Sequence, residues 1–203
     1  MDFIARGSGA LWWPARRTLI VADLHLGRSE RYARRGGALL PPWDVPDTLE
    51  KLAAEVAALQ PTRVLSLGDA FDDDEAGISL APEARAMLGH LAQNREWVWV
   101  AGNHDPRPAG ANLPGRSVLE LMDEIAFRHS AGKGPDASGH LHPALRLAGR
   151  RWRCFAIGMD HLILPAFGIY TGGLDIRHPE LRRLASGGLA ICCSKSMFTV
   201  PIP

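Results

Sequence analysis

Three short apolar runs stand out in the first half of the chain, each closed by glycine or by polar residues. Thr18-Leu19-Ile20-Val21-Ala22 ends at Asp23, Arg63-Val64-Leu65-Ser66-Leu67 ends at Gly68-Asp69, and Trp97-Val98-Trp99-Val100-Ala101 ends at Gly102-Asn103-His104-Asp105. Runs of this length, β-branched and aromatic, predict buried strands. Between them the period changes. Leu49, Leu52, Ala53, Val56 and Leu59 share one helical face, so a helix is predicted from Asp47, its N-cap, to Leu59, with Pro61 beyond its end. Ala84, Met87, Leu88 and Leu91 repeat that spacing in a helix predicted from Pro82 to Asn94, with Pro82 in the first turn. The resulting strand–helix–strand–helix–strand order predicts an α/β sheet with parallel neighbours. After Asp105 comes a Pro/Gly-rich loop from Pro106 to Gly115. Strand-like runs follow at Arg151 to Ile157, Leu189 to Cys193 and Met197 to Val200, so the second half is richer in strand than in helix.

Composition adds boundaries and little else. The chain has 203 residues, 46% hydrophobic and 22% charged, which suits one globular domain spanning 1–203. A net charge of +1 gives no whole-chain reason to bind nucleic acid or a membrane. Local charge is more informative: Arg28, Arg31, Arg34 and Arg35 fall at helical spacing, and Asp69, Asp72, Asp73, Asp74 and Glu75 crowd into seven positions. Three cysteines, Cys154, Cys192 and Cys193, without regular spacing argue against a disulfide framework and for a reducing, cytoplasmic setting. No apolar run approaches the roughly 18 residues of a membrane span, and no signal peptide is visible, so no membrane partner is expected.

The chemistry collects where the strands end, which is where open α/β sheets bind ligands. The first run gives Asp23-Leu24-His25, the second Gly68-Asp69, the third Asn103-His104-Asp105. His129 and Ser138-Gly139-His140-Leu141-His142 follow, so five of the eight histidines lie in these segments. In an extended chain, Asp23 and His25 point to the same side, as do His140 and His142. Oxygen and imidazole donors together suit Mn²⁺, Fe or Zn²⁺, and the lack of clustered thiolates argues against structural zinc. Each segment alone has an ordinary structural explanation; their combination at successive strand ends and turns does not.

In this order the blocks resemble those of the calcineurin-like metallophosphoesterases: Asp-x-His at 23–25, Gly-Asp-x-x-Asp at 68–72, Gly-Asn-His-Asp at 102–105, then His129 and Gly-His-x-His at 139–142. The stretches "LWWPARRTLIVADLHLGRSERYARRGGALLPPWD", "SGHLHPALRL" and "LILPAFGIYTGGLD" are similar to the bacterial ligase-associated DNA damage response endonucleases of the PdeM group. At Asp72 the chain carries the aspartate of the broader family where that group often has histidine. The resemblance implies a two-sheet sandwich flanked by helices (αββα) with a dinuclear metal site at the strand ends. It implies that Asp23, His25, Asp69 and His142 hold one ion and Asp69, Asn103, His129 and His140 the other, with Asp69 as the bridge. A shared anion between two cations about 3.5–4 Å apart is also what electrostatics favours. The resemblance further implies that His104 assists the leaving group, with Asp105 orienting its imidazole.

Around that centre, Asp72 is expected to support a ligand such as His25, Asp73 to fix the loop, and Asp74 and Glu75 to be solvated. Arg28, Arg31, Arg34 and Arg35 are either contacts to flanking phosphates or a solvated face. Arg107 and Asn112 are weaker candidates for substrate contact. His90, His161 and His178 are read as structural or surface residues, and Trp12, Trp13 and Trp43 as packing residues more than base-stacking ones. The expected function is hydrolysis of phosphodiester bonds in nucleic acid, in DNA repair, with two Mn²⁺ ions. Family resemblance adds a DNA ligase or helicase partner and a homo-oligomer. The competing readings are a phosphodiesterase or pyrophosphatase for a cyclic or other small nucleotide, and a non-catalytic scaffold.

Overall fold

The computed structural model describes residues 2–37, 39–106 and 113–203. Arg107 and Asn112 lie outside the described residues. The first half supplies strands β1 (Ile4–Ala5), β2 (Leu11–Trp13) and β3 (Thr18–Val21), helices α1 (Arg28–Arg34) and α2 (Asp44–Leu59), strand β4 (Arg63–Leu67), helices α3 (Asp74–Ile78) and α4 (Pro82–Ala92), and strands β5 (Glu96–Val100) and β6 (Arg116–Val118). These six strands form one sheet in chain order, with β3, β4, β5 and β6 parallel and β1 and β2 antiparallel. The second half supplies β7 (Glu120–Met122), β8 (Ala126–Arg128), β9 (Asp136–Ser138), β10 (Ala144–Leu147), β11 (Arg150–Ile157), β12 (His161–Ile163), α5 (Pro179–Ala185), β13 (Leu189–Cys192) and β14 (Phe198–Pro201). They form a second mixed sheet in the order β14-β13-β11-β12-β9-β8-β7, with β10 paired to β11.

The continuous apolar runs follow from burial on both faces of the first sheet. Leu19 and Val21 of β3, Val64 of β4, and Trp97 and Trp99 of β5 pack toward α2 and α4, among Leu49, Leu52, Val56 and Leu88. Their alternates, Ile20, Leu65, Leu67, Val98 and Val100, face the second sheet and meet Phe127, Ala137, Phe155 and Leu164. Trp13 lies against Phe127 in that layer, ring centroids 5.8 Å apart. Truncating Phe127 to alanine would cost about 3–5 kcal/mol. Cys154, Ala156, Ile163 and Cys192 turn the other way and are covered by Leu181 and Ala185 of α5. The layers therefore run helix, sheet, sheet, helix, as the resemblance implied.

The helix starts differ in detail. The α2 helix begins at Asp44, not Asp47; Trp43 occupies the cap position without a side-chain bond, and Pro46 fits in the first turn. Asp44 instead accepts hydrogen bonds from Ser29 N (3.1 Å) and Ser29 Oγ (2.5 Å), tying α1 to α2 through a buried pair. The α3 and α5 helices are too short to show a period. Their starts are marked by Asp73, which accepts from Ala76 N, and by His178, which accepts from Glu180 N.

Candidate metal centre

The strands β3, β4, β5, β8 and β9 deliver Asp23–His25, Asp69, Asn103–Asp105, His129 and His140–His142 to one end of the two sheets. Beyond the strand ends the loops bond to one another: Asp23 N to Gly68 O (3.2 Å), His25 N to Asp69 O (2.9 Å) and Gly139 N to His129 O (2.9 Å). The backbone here is not extended. Asp23 (φ 54°), His25 (46°), Asp69 (44°), His140 (67°) and His142 (46°) are all left-handed. The shared side that an extended Asp-x-His would give is thus replaced by a tight turn, a conformation Asp and His enter more readily than most residues. Such positions cost of order 1–3 kcal/mol each and persist only where surrounding bonds fix them.

The side chains converge in two groups. Asp23 Oδ1 lies 3.3 Å from His142 Nε2, and one donor atom each from Asp23, His25 and His142 falls within a common 4.8 Å. Asp69, His129 and His140 form a second such group. In it His129 Nε2 is 2.8 Å from Asn103 Oδ1, 3.1 Å from His140 Nδ1 and 3.5 Å from Asp69 Oδ2. Asp69 Oδ2 also faces the first group, 3.9 Å from His25 Nε2. The other Asp69 oxygen accepts the backbone N–H of His104 at 2.9 Å. Asp23, His25, Asp69 and His129 are buried, whereas Asn103 and His140 are exposed, so the centre opens on one face.

Neighbouring groups set the orientation of these side chains. His25 Nδ1 is 2.8 Å from Asp72 Oδ1. His129 Nδ1 lies 3.2 Å from the Leu67 carbonyl. Burial alone would raise the Asp72 carboxyl, but His25, Arg31 and Arg28 outweigh it and hold it down at about 2. Burial also works to raise Asp23, and the neighbouring imidazoles of His142, His129 and His25 bring it below its ordinary value. His140 is lowered by burial and by His129.

Two expectations need correcting. The His104 imidazole is not oriented by Asp105: its Nδ1 meets the Asp72 carbonyl oxygen at 2.9 Å, while Asp105 Oδ2 accepts the Phe71 N–H at 3.0 Å. Asp105 is buried and braces the turn behind Asp69; burial pushes its carboxyl up to about 8, against the pull of the Phe71 N–H. The arginine stripe, for its part, is largely engaged by carboxylates of the acidic loop. Arg28 Nη1 and Arg31 Nη1 reach Asp72 at 3.1 and 2.9 Å, and Arg34 Nη2 reaches both Asp73 oxygens at 2.8 Å. Arg35 is exposed. Asp74 and Glu75 are exposed as expected. Of the tryptophans, Trp13 is core, Trp12 half-buried, and Trp43 58% exposed, outside the core. His161 bonds Asp136 at 3.0 Å, and His90 is exposed.

A model of the calcineurin-like phosphoesterases matches residues 16–178. The chain belongs to the calcineurin-like phosphoesterase family. It is a metal-dependent phosphoesterase. A nuclease MPE of Pseudomonas putida is similar over 98% of this chain and 99% of its own, at 28% identity and a TM-score of 0.73. The phosphoesterase YfcE of E. coli is similar over 92% of this chain and 99% of its own, at 14% identity and a TM-score of 0.45. Among curated proteins no match emerges. No helix among the described residues is long and apolar enough to cross a membrane.

Phosphoesterases of this family use divalent metals, and the residues present fit such ions. Asp23 Oδ1, His25 Nε2 and His142 Nε2 are buried without a hydrogen-bond partner among the described residues. An unpaired buried carboxylate oxygen is costly, and a cation removes that cost. In a neutral His129 whose Nδ1–H donates to Leu67 O, Nε2 presents a lone pair toward Asn103 Oδ1 and Asp69 Oδ2. Lone pairs converging in this way call for a positive charge between them.

Proposed function

We propose that the chain hydrolyses phosphodiester bonds of nucleic acid with two divalent ions, as an endonuclease in DNA repair. The observation that carries this reading is the position of Asp69 Oδ2, which faces His25 on one side and His129 on the other. Asp23, His25 and His142 would hold one ion, Asn103, His129 and His140 the other, with Asp69 shared. The oxygen and imidazole donors suit Mn²⁺, with Fe or Zn²⁺ as alternatives. When bound, the two ions supply Lewis acidity toward the phosphoryl oxygens and lower the pKa of an attacking water.

The chain's own groups do the rest. Asp72 fixes the His25 ring so that Nε2 points inward. His104 stands at the open face, its side chain 30% exposed and its Nε2 4.0 Å from Asp69 Oδ2. A carbonyl can only accept, so the bond to Asp72 O puts a proton on His104 Nδ1. A second proton, on Nε2, then gives an imidazolium that can protonate the departing alkoxide. Help of this kind is worth roughly 10²–10⁴-fold. The exposure of Asn103 and His140 and the similarity to a nuclease over nearly the whole chain support a polymeric substrate. A ligase or helicase partner, self-association and a cytoplasmic location enter the proposal only from the resemblance and the cysteine usage.

One observation favours the second reading, a cyclic nucleotide or other small phosphodiester. The commitment of Arg28, Arg31 and Arg34 to Asp72 and Asp73 removes the most obvious track for flanking phosphates. A Mn²⁺-dependent digestion panel separates the two. Single-stranded DNA, duplex DNA, RNA and 2′,3′-cyclic nucleotides are compared, and the first reading expects internal cleavage of a polynucleotide. Cleavage of cyclic nucleotides alone sinks it.

A further inference from the structure

Three basic side chains that the function leaves unused converge on one segment. Lys51 of α2 donates through Nζ to the carbonyl of Phe167 and sits 3.8 Å from the centroid of the Phe167 ring. Arg153 of β11 donates to the same carbonyl (3.4 Å) and to Ile169 O (2.8 Å), and Arg151 donates to Thr171 O (2.9 Å). The carbonyls of residues 167, 169 and 171 therefore each accept from one or more of these three side chains.

The rest of the segment faces the metal-bearing turns. Phe167 N donates to Ala22 O (2.8 Å) and Gly168 N to Asp23 O (3.1 Å). Leu174 N donates to Leu141 O (3.3 Å), and Ala144 N donates back to Leu174 O (2.8 Å). The approach is close enough to demand glycine twice: a Cβ at residue 168 would lie 2.1 Å from Leu24 O, and one at residue 173 would lie 2.4 Å from His142 O. Thr171 Oγ1 closes the strap on itself through Gly168 O (2.7 Å). Residues 167–174 thus span from the Asp23 turn to the His142 turn, the two ends of one ligand group. This is part of the "LILPAFGIYTGGLD" stretch, whose residues 167–174 include no histidine, cysteine or carboxylate.

Placing a lysine beside an arginine in a largely desolvated position is unfavourable unless their donors are used. Glu55, whose charge favours the protonated lysine, is engaged by Arg6 at 2.9 Å. Burial and the Arg153 charge bring Lys51 down to about 7. What compensates the arrangement is the set of carbonyls.

We propose that Lys51, Arg153 and Arg151 are positioning residues for the metal centre, acting through the 167–174 strap to hold the left-handed turns that carry Asp23 and His142. This rests on the metal-centre reading above. Removing the anchor loosens the turns and weakens the ion that Asp23, His25 and His142 share, while the Asp69, His129 and His140 group is left as it was.

Calorimetric titration of the metal-free protein with Mn²⁺ tests the proposal, alongside circular dichroism to establish folding. Wild type should take up two ions. Lys51→Met should bind one of them roughly 10- to 100-fold more weakly, the loss typical of groups that orient metal ligands, and Lys51→Arg should restore most of it. Arg151→Gln, at an exposed position, should show a smaller loss at the same ion. A merely structural anchor would lower the melting temperature and leave both dissociation constants alone; that result in folded Lys51→Met overturns the proposal. If Lys51→Met does not fold, unchanged Mn²⁺ affinities in Arg151→Gln overturn it equally. A wild type that takes up no Mn²⁺ would overturn the metal-centre reading itself, which separates the two failures.

Discussion

The carboxylate of Asp72 lies 2.8 Å from His25 Nδ1 and also takes Arg28 and Arg31, at 3.1 and 2.9 Å. One buried side chain therefore joins a ligand candidate to the arginine helix. Asp72→Asn keeps the shape but removes the charge. Metal affinity should fall roughly 10- to 100-fold, read by Mn²⁺ titration. An affinity equal to wild type would mean that His25 needs no carboxylate behind it.

Asp69→Ala removes the oxygen that faces both ligand groups. Metal-dependent hydrolysis of bis-p-nitrophenyl phosphate should disappear. Residual metal-dependent turnover above background would rule out a shared ligand at this position.

His104→Ala should retain both metals and lower kcat by roughly 10²–10⁴-fold on substrates with alkoxide leaving groups. The loss should be far smaller with p-nitrophenolate, which leaves without a proton. Equal losses on both substrates would argue against proton donation from Nε2, and loss of a metal would make His104 a ligand.

Arg31→Ala should act on stability and the metal site, not on salt-dependent binding of DNA. It deletes a charge-assisted hydrogen bond to buried Asp72, worth about 1.5–3 kcal/mol, measurable by urea unfolding. The slope of log K against log salt should stay at the wild-type value. A flatter slope would return Arg31 to the phosphate contacts.

Lys51 makes a prediction about pH. Its folded value is about 7, against an ordinary 10.5. Between those values the unfolded chain binds the extra proton, so raising the pH favours the fold. Below pH 7 the lysine is protonated in both states and its burial cost is constant; above pH 10.5 the cost is gone. Stability measured by urea unfolding should therefore gain up to about 1.4 kcal/mol per pH unit from this group between pH 7 and 9. Lys51→Met should remove that gain, and an identical pH slope in the variant would refute it.

Much of the first sheet was legible because β3, β4 and β5 are covered on both faces, which leaves unbroken apolar runs that end abruptly in polar residues. Asp23, Asp69 and His104 could be found for the same reason: they sit where those runs stop. What could not be read was the backbone. Nothing in Asp-Leu-His signals a left-handed turn, and nothing in a Gly-Asn-His-Asp block says that the His104 ring will meet a carbonyl of residue 72 instead of the neighbouring Asp105. Helical spacing correctly placed Arg28, Arg31 and Arg34 on one stripe, but periodicity is silent on what a stripe faces. The anchors Lys51, Arg151 and Arg153 escaped notice because their partners are carbonyls, which every residue has.

The left-handed turns at Asp23, His25, Asp69, His140 and His142 also bear on how such a centre can be transplanted. Copying the seven side chains onto the straight strand ends of another scaffold would aim them wrongly. The portable unit is larger: the turns, the cross-loop amide bonds that lock them, and the strap behind. A designer who grafts residues without that backing should obtain a protein that folds and binds metal poorly, with the fault lying in the main chain.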